Sequence, residues 1–337
     1  MDLVINVEES STANINFGIM FSGGDEDNAV PDPYTGYLVD GITDYEYASR
    51  NVPYQYMMDY KTWKISVGLN TGYRYFTLLG WLGVRSGLST TLEKITYDDT
   101  LYRPFDPEIR AGLERWSFIN KLGITIFWDK RDYFLNPTNG FYIAQGVTFA
   151  GGFLFGQREY IRTDSTVEGF LTLFDLRVTD KWSFKMVLAA HSSLSFIFPQ
   201  FGQKEPITVP TDLLYVDGMI IARGWPLERD KKALWDNRLE LRLPIAERFL
   251  WWVFFLDGVA AYDEIDLMTP LKLADFYFSL GGGIRFTIPQ FPIRLYLAQR
   301  FRFNEAKRGF ERLEEEGALP LFGLSLNFVI SLGGDMF

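Results

Sequence analysis

Hydrophobic and polar residues alternate along much of this chain with a period of two. Trp63, Ile65, Val67, Leu69, Tyr73 and Tyr75 share one face of a segment whose other face carries Lys64, Ser66, Gly68, Asn70, Gly72 and Arg74. That is the pleat of a β-strand with one apolar face. The same alternation predicts strands at residues 15–22, 79–92, 118–128, 141–155 and 166–178, the last with its facing left open. Further strands are predicted at 182–198, 237–245, 250–262, 276–288, 293–303 and 321–332. Together they make about twelve strands, an even number. Their connections alternate long and short: Asp180-Lys181 and Pro289-Gln-Phe-Pro292 are tight, while 23–60, 263–274 and 304–319 are long. This rhythm predicts an all-β fold, a transmembrane antiparallel up-and-down β-barrel with periplasmic turns, long extracellular loops and both chain ends in the periplasm.

The two faces have an inverted alternative. In 237–245, Leu239, Leu241, Leu243 and Ile245 oppose Arg238, Glu240 and Arg242; in 293–303, Ile293, Leu295, Leu297, Phe301 and Phe303 oppose Arg294, Tyr296, Arg300 and Arg302. A soluble sandwich would bury the apolar face and wet the charges. A membrane barrel would turn the apolar face to lipid and line a wet lumen with the charges. Strand lengths of about ten residues favour lipid. So do the rings of Trp63, Trp128, Trp182 and Tyr262 near strand ends, where an interfacial girdle would lie.

Composition narrows the chemistry. Aromatic residues are 17% of the 337, with 30 Phe and 18 Tyr, and no apolar run approaches a spanning helix. The net charge of −10 argues against a nucleic-acid partner. There is no cysteine and one histidine, His191, so thiolate and multi-histidine metal sites are excluded and no cofactor is expected. His191-Ser-Ser193 has the spacing of a lipase-type pair on a barrel wall, but both share the lumen face with Lys185, and no enzymatic activity is expected. The first residues lack a basic region and a cleavage site, so the natural start is expected upstream.

The connection between 182–198 and 237–245 is long, and long loops tend to be functional or disordered. This one carries Leu213, Leu214, Ile220, Ile221 and Trp225, too much apolar surface to leave in water. Its centre is Arg223-Gly224-Trp225, and the expectation is that it folds back into the lumen. Three other stretches accompany it. They are Asp129-Lys-Arg131-Asp-Tyr-Phe-Leu-Asn-Pro137-Thr-Asn-Gly140, Phe255-Leu-Asp257-Gly258, and a last strand Phe322-Gly323-Leu-Ser-Leu326-Asn-Phe328 before the terminal Phe337. In order and spacing these resemble the BamA-type superfamily of outer-membrane barrel-assembly insertases and secretion pores. Residues 3–9 resemble the last strand of a periplasmic POTRA domain, so 1–12 are expected to be a POTRA remnant or linker and 13–337 the barrel.

The resemblance implies that Arg223 reaches two inward carboxylates, Glu240 and Asp257. Parity places Glu240 on the polar face, and Asp257 there too if Val253 and Phe255 point inward. Asp129, Arg131, Pro137 and Gly140 would form a structural turn, with Gly140 supplying positive φ. Gly281-Gly282-Gly283 is read as barrel curvature. The last strand, with Phe322, Leu324, Leu326 and Phe328 outward and Gly323 inward, would close on a short first strand holding Ile15, Phe17 and Gly18. A weak seam there offers backbone donors and acceptors to an added strand. The implied function is assisted folding and insertion of outer-membrane proteins. The implied partners are outer-membrane lipids, unfolded clients and accessory lipoproteins reached through POTRA domains. The alternatives are a passive pore or a secretion-type transporter. By the resemblance the norm is roughly sixteen strands, so about four are expected to be missing after Ser22.

Overall fold

In the computed structural model the described residues are 13–22, 37–38, 61–99, 102–103, 113, 115–134, 136–179, 182–208, 212–246, 249–287, 293–313, 319–321 and 324–332. Residues 1–12 and Gly323 lie outside them, so the POTRA-remnant expectation does too. The spanning strands are β1 Ala13–Ser22, β2 Lys61–Thr77, β3 Gly80–Thr96, β4 Trp116–Asp129, β5 Gly140–Ala150 and β6 Tyr160–Thr179. They continue as β7 Trp182–Pro199, β8 Ala233–Ala246, β9 Leu250–Tyr262, β10 Phe276–Phe286, β11 Ile293–Asn304 and β12 Leu324–Leu332. Each pairs antiparallel with the next in sequence, the wiring of an up-and-down barrel. Ile15 stands opposite Leu69, Phe17 opposite Val67 and Gly18 opposite Ser66.

Burial settles the facing. On β9, Trp252, Phe254 and Leu256 are about half exposed, while Val253, Phe255 and Asp257 between them are buried. On β8, Leu239 and Ile245 are exposed, and Arg238, Glu240 and Arg242 are buried. A sheet that shows its apolar face and hides its charges is inside-out for a water-soluble sandwich. It is the arrangement of a barrel whose outer face meets lipid. β6 now acquires a facing: Val167, Leu171 and Leu173 are exposed, Glu168 and Phe170 buried.

Several boundaries differ from expectation for local reasons. β5 stops at Ala150, not 155, because Gly151 (φ 65) and Gly152 (φ 58) turn the chain into a short 3-10 segment. β6 starts at Tyr160, six residues before the predicted 166, held to β7 by the pair Tyr160↔Pro199. Tyr262, expected in the interfacial girdle, is buried among Ala233, Ala260 and Phe276, with Ile265 and Met268 packed over the cluster. Its hydroxyl donates to Asp275 at 3.1 Å. Leu326, expected on the lipid face, is buried as well; residues 319–321 pair alongside the start of β12.

The triple glycine of β10 does more than curve the wall. A Cβ on Gly281 would stand 2.5 Å from the Phe255 ring and 2.2 Å from the Leu297 carbonyl oxygen. The missing side chain lets the Phe255 ring lie across β10, where it faces the lumen.

Candidate functional site

The long loop between β7 and β8 is built from its own polar groups outward. Leu214–Val216 pairs antiparallel with Glu228–Lys231, making a stalk. At the tip, one Asp217 carboxylate oxygen accepts the backbone N–H of Met219, Ile220 and Ile221 at 2.8–2.9 Å. Gly218, at φ 68, accepts from the Gly224 N–H through its carbonyl, and Ala222 is held in the left-handed region at φ 54. A tight knot of this kind projects Arg223 as a fixed prong.

Arg223 is buried against β8 and β9. Its Nε and Nη2 donate to the two oxygens of Asp257 at 2.8 and 2.6 Å, and its Nη1 donates to Glu240 at 2.6 Å. Its backbone N–H adds a 3.2 Å bond to Asp257. The guanidinium carbon sits 3.7 Å from the centre of the Phe255 ring, so the cation stacks on a ring face while its N–H edges bind two carboxylates. Asp257 is 0% exposed and Glu240 2%, so neither carboxylate has water as a substitute partner. The other Glu240 oxygen takes Arg242 Nε at 2.8 Å and faces Arg285 Nη1 at 3.6 Å.

Gly224 rests on the far wall. A Cβ there would lie 2.8 Å from Ala298 Cβ on β11 and 3.5 Å from Asn327 Cβ on β12, so glycine is what lets the tip touch the last strand. Trp225 donates its Nε1 to the Phe278 carbonyl at 3.1 Å and meets Tyr277 edge-on at 4.9 Å. The guanidiniums of Arg300 and Arg302 each lie 5.5 Å from its ring.

The neck of the loop has a second anchor that sequence reading missed. Asp212 accepts from Lys121 Nζ at 2.9 Å and from the Tyr160 hydroxyl at 3.1 Å, and pairs with Arg158 Nε at 3.3 Å. Arg158 also reaches Glu93 at 3.4 Å. The loop thus bridges the lumen from the β3–β4–β6 side to the β8–β12 side. Nothing near Asp212 in sequence signals this, since its partners come from separate parts of the chain. Asp217-Gly218, by contrast, is a visible turn signal.

The periplasmic turn gathers the remaining predicted residues. Arg131 makes a two-pronged pair with Asp129 (2.9 and 2.8 Å) and reaches Glu168 at 3.1 Å. Gly140, at φ 104, leaves no room for a Cβ, which would stand 2.1 Å from the Lys130 carbonyl oxygen. Pro137 is buried beside Thr138. His191 points to the lumen between Glu168 (3.4 Å) and Asp236 (3.6 Å), a wall position with Ser193 on the neighbouring rung.

Asp132 locks this turn. Burial works to raise its pKa, but the hydrogen bonds donated by the Thr138 hydroxyl and by the backbone N–H groups of Thr138, Asn139 and Tyr133 outweigh it and hold it below the usual aspartate value. A carboxylate with a depressed folded pKa stabilises above its unfolded pKa, about 3.9, and that contribution is lost as pH falls through the lower folded value. Hydrogen exchange of the Thr138 and Asn139 amides is therefore expected to stay slow at neutral pH and to quicken relative to other turns only below about pH 4. In Asp132→Asn the pH step should vanish.

A membrane β-barrel with an inward-folded loop pinned by ion pairs is the class of protein that this fold and site define. The chain belongs to the Omp85 superfamily, whose domain pattern matches residues 13–328. It is an outer-membrane β-barrel protein. It is 24% identical to a putative outer membrane protein assembly factor of Treponema pallidum (strain Nichols), over 98% of this chain and 49% of that one. That alignment runs over 426 residues, more than the 337 present here, so the relative carries material with no counterpart in this chain. Among solved structures, BamA from Haemophilus ducreyi lacking POTRA domains 1–3 is similar in fold, with a TM-score of 0.50 and 13% identity over 81% of this chain and 55% of that one. The chain spans about half the length of both relatives.

Proposed function

We propose that this chain is the membrane barrel of an outer-membrane protein assembly factor, assisting the folding and insertion of β-barrel clients through a weak seam between β1 and β12. The observation that carries the reading is how lightly the last strand is held. Among the described residues β12 pairs with β11 only from Ala298↔Asn327 to Ile293↔Leu332, and the upper part of β11 pairs instead with Gly309–Arg312. The β2–β3 ladder, in contrast, runs without interruption from Lys61↔Thr96 to Thr77↔Gly80. A short last ladder separates easily, and its backbone groups can template an incoming strand. The loop tip touches this same place through Gly224 on Ala298 and Asn327, which ties the loop's position to the seam.

In this reading β1, with Ile15, Phe17 and Gly18, and β12, with Leu326 and Phe328, are the seam strands. The Arg223–Asp257–Glu240 anchor sets where the loop stands when the seam opens. Outer-membrane lipids and unfolded barrel proteins are the partners, with accessory lipoproteins recruited through POTRA domains preceding the barrel. The mechanism has no covalent step. A passive pore is the weaker reading, because the loop crosses the lumen and is held at both neck and tip.

The test is reconstitution of the full chain into vesicles, followed by addition of a urea-denatured outer-membrane protein and gel-shift detection of its folded form. The proposal expects faster client folding than in empty vesicles, and slower folding when a cross-link ties β12 to β1. A rate equal to that of empty vesicles would overturn it.

A further inference from the structure

The extracellular end of β12 has a second neighbour besides β11. Leu319–Leu321 pairs antiparallel with it through Leu319↔Leu326, Pro320↔Ser325 and Leu321↔Leu324. The described sheet begins at β1 and ends on this segment, which follows β12 in the strand order. Hydrogen-bond direction shows which edge of β12 it uses. Antiparallel pairs alternate between those that exchange both N–H···O bonds and those that exchange none. Pro320 has no N–H, so Pro320↔Ser325 is of the second kind, and Leu319↔Leu326 and Leu321↔Leu324 exchange the bonds. Leu324 and Leu326 therefore turn their N–H and C=O groups toward the segment, and Ser325 between them turns its own the other way. On that other side the Ser325 N–H donates to the Gln299 side chain of β11 at 2.9 Å. The segment thus lies on the edge of β12 away from β11, the edge that faces β1 across the seam.

Two features suit this segment to covering an edge. The parity that turns Leu319 and Leu321 toward β12 turns Pro320 outward, so the segment's outer edge lacks an N–H at its centre. Proline on an edge strand stops further strands from adding. The segment is also only three residues long, so a longer strand can displace it. Gln299 holds β12 in place beneath it. Above Ala298, β11 turns to pair with Gly309–Arg312, and the buried Gln299 amide spans the fork. It accepts from the Ser325 N–H and donates to the Leu313 carbonyl at 3.0 Å.

We propose that Leu319–Leu321 is a detachable cap on the seam edge of β12, which keeps other strands off the extracellular end of that edge until one displaces it. Its role as a gate for client strands rests on the assembly reading above. The cap itself rests only on the pairing.

The test uses the full chain, in micelles for residue-resolved amide exchange and in vesicles for client folding. Leu321→Pro removes one N–H of the ladder. Exchange of the Leu324 and Leu326 amides is expected to quicken by about tenfold in this variant, as for the loss of one hydrogen bond. The Ser325 amide, held by Gln299, should keep its rate. Unchanged exchange at Leu324 and Leu326 overturns the proposal, whatever the barrel does to clients. A second variant leaves the ladder intact: Pro320→Cys with Ser325→Cys, in a chain that has no other cysteine. A non-hydrogen-bonded pair brings its Cα atoms to about 4.5 Å, within reach of a disulfide. With the disulfide formed, a urea-denatured outer-membrane protein should fold severalfold more slowly than with it reduced. Equal rates in the two forms, in a protein that still outpaces empty vesicles, overturn the proposal. If neither form outpaces empty vesicles while Leu324 and Leu326 respond as stated, the assembly reading fails and the cap stands.

Discussion

Arg223→Ala is expected to destabilise the barrel by about 3–5 kcal/mol and to release the loop from the lumen. The size follows from what remains behind. Asp257 and Glu240 are buried carboxylates, and the substitution takes two hydrogen bonds from the Asp257 side chain and one from Glu240. Removing one partner of a buried pair costs far more than the pair is worth, because the other charge stays out of water. Arg223→Lys should recover only part of the loss: an ammonium is a point charge and cannot serve both carboxylates in the plane of the fork. The midpoint of urea unfolding in micelles measures the energy, and trypsin cleavage at Arg229, Lys231 or Lys232 reports the loop. Ion conductance across a planar bilayer should rise in the same variant. A wild-type midpoint with a protease-resistant loop would show that the anchor carries no weight.

Gly218→Val is expected to have an effect of similar size by a different route. Gly218 has φ 68, and a Cβ there would stand 1.8 Å from the Trp225 carbonyl oxygen, a backbone atom that cannot swing aside. The left-handed backbone costs about 1–2 kcal/mol for any other residue, and forcing extra atoms into a packed site typically adds about 1–3 kcal/mol. The tip knot should then open, and with it the geometry that aims Arg223. Gly202→Ala provides the control. Gly202 also has positive φ, at 89, but nothing lies within 4 Å of its Cβ position, so only the backbone cost applies. Limited proteolysis and the unfolding midpoint of the two variants separate clash from strain: Gly218→Val should lose loop protection and Gly202→Ala should keep it.

Much of the barrel was legible because each strand separates lipid from a wet lumen, and that forces alternation. Leu250–Tyr262 reads cleanly for this reason, with Trp252, Phe254 and Leu256 outside and Val253, Phe255 and Asp257 inside. The Arg223 carboxylates were accessible to parity combined with family resemblance, since Glu240 and Asp257 fall on inward positions of adjacent strands. Failures came where a second layer covers the sheet. Tyr262 has the sequence signature of an outward residue, yet Ile265 and Met268 pack over its cluster. Alternation describes a residue's side of the sheet and is silent about what lies on top of it. The end of β5 was misplaced because Phe153 and Phe155 continue an apolar run after glycines have turned the backbone. Asp212 was invisible because its partners, Lys121, Arg158 and Tyr160, meet only when the sheet has curved. Gly281, read from sequence as curvature, also makes room for the Phe255 ring beneath Arg223.

A direct Arg223–Asp257 interaction pins the loop in the lumen, and a double-mutant cycle measures it. Arg223→Ala, Asp257→Ala and the pair would be compared by urea unfolding in the same micelles. A coupling of about 2 kcal/mol or more is expected, the double variant losing little beyond either single one. Effects that add to within about 0.5 kcal/mol would place the two residues apart in the folded protein and leave the loop without this anchor.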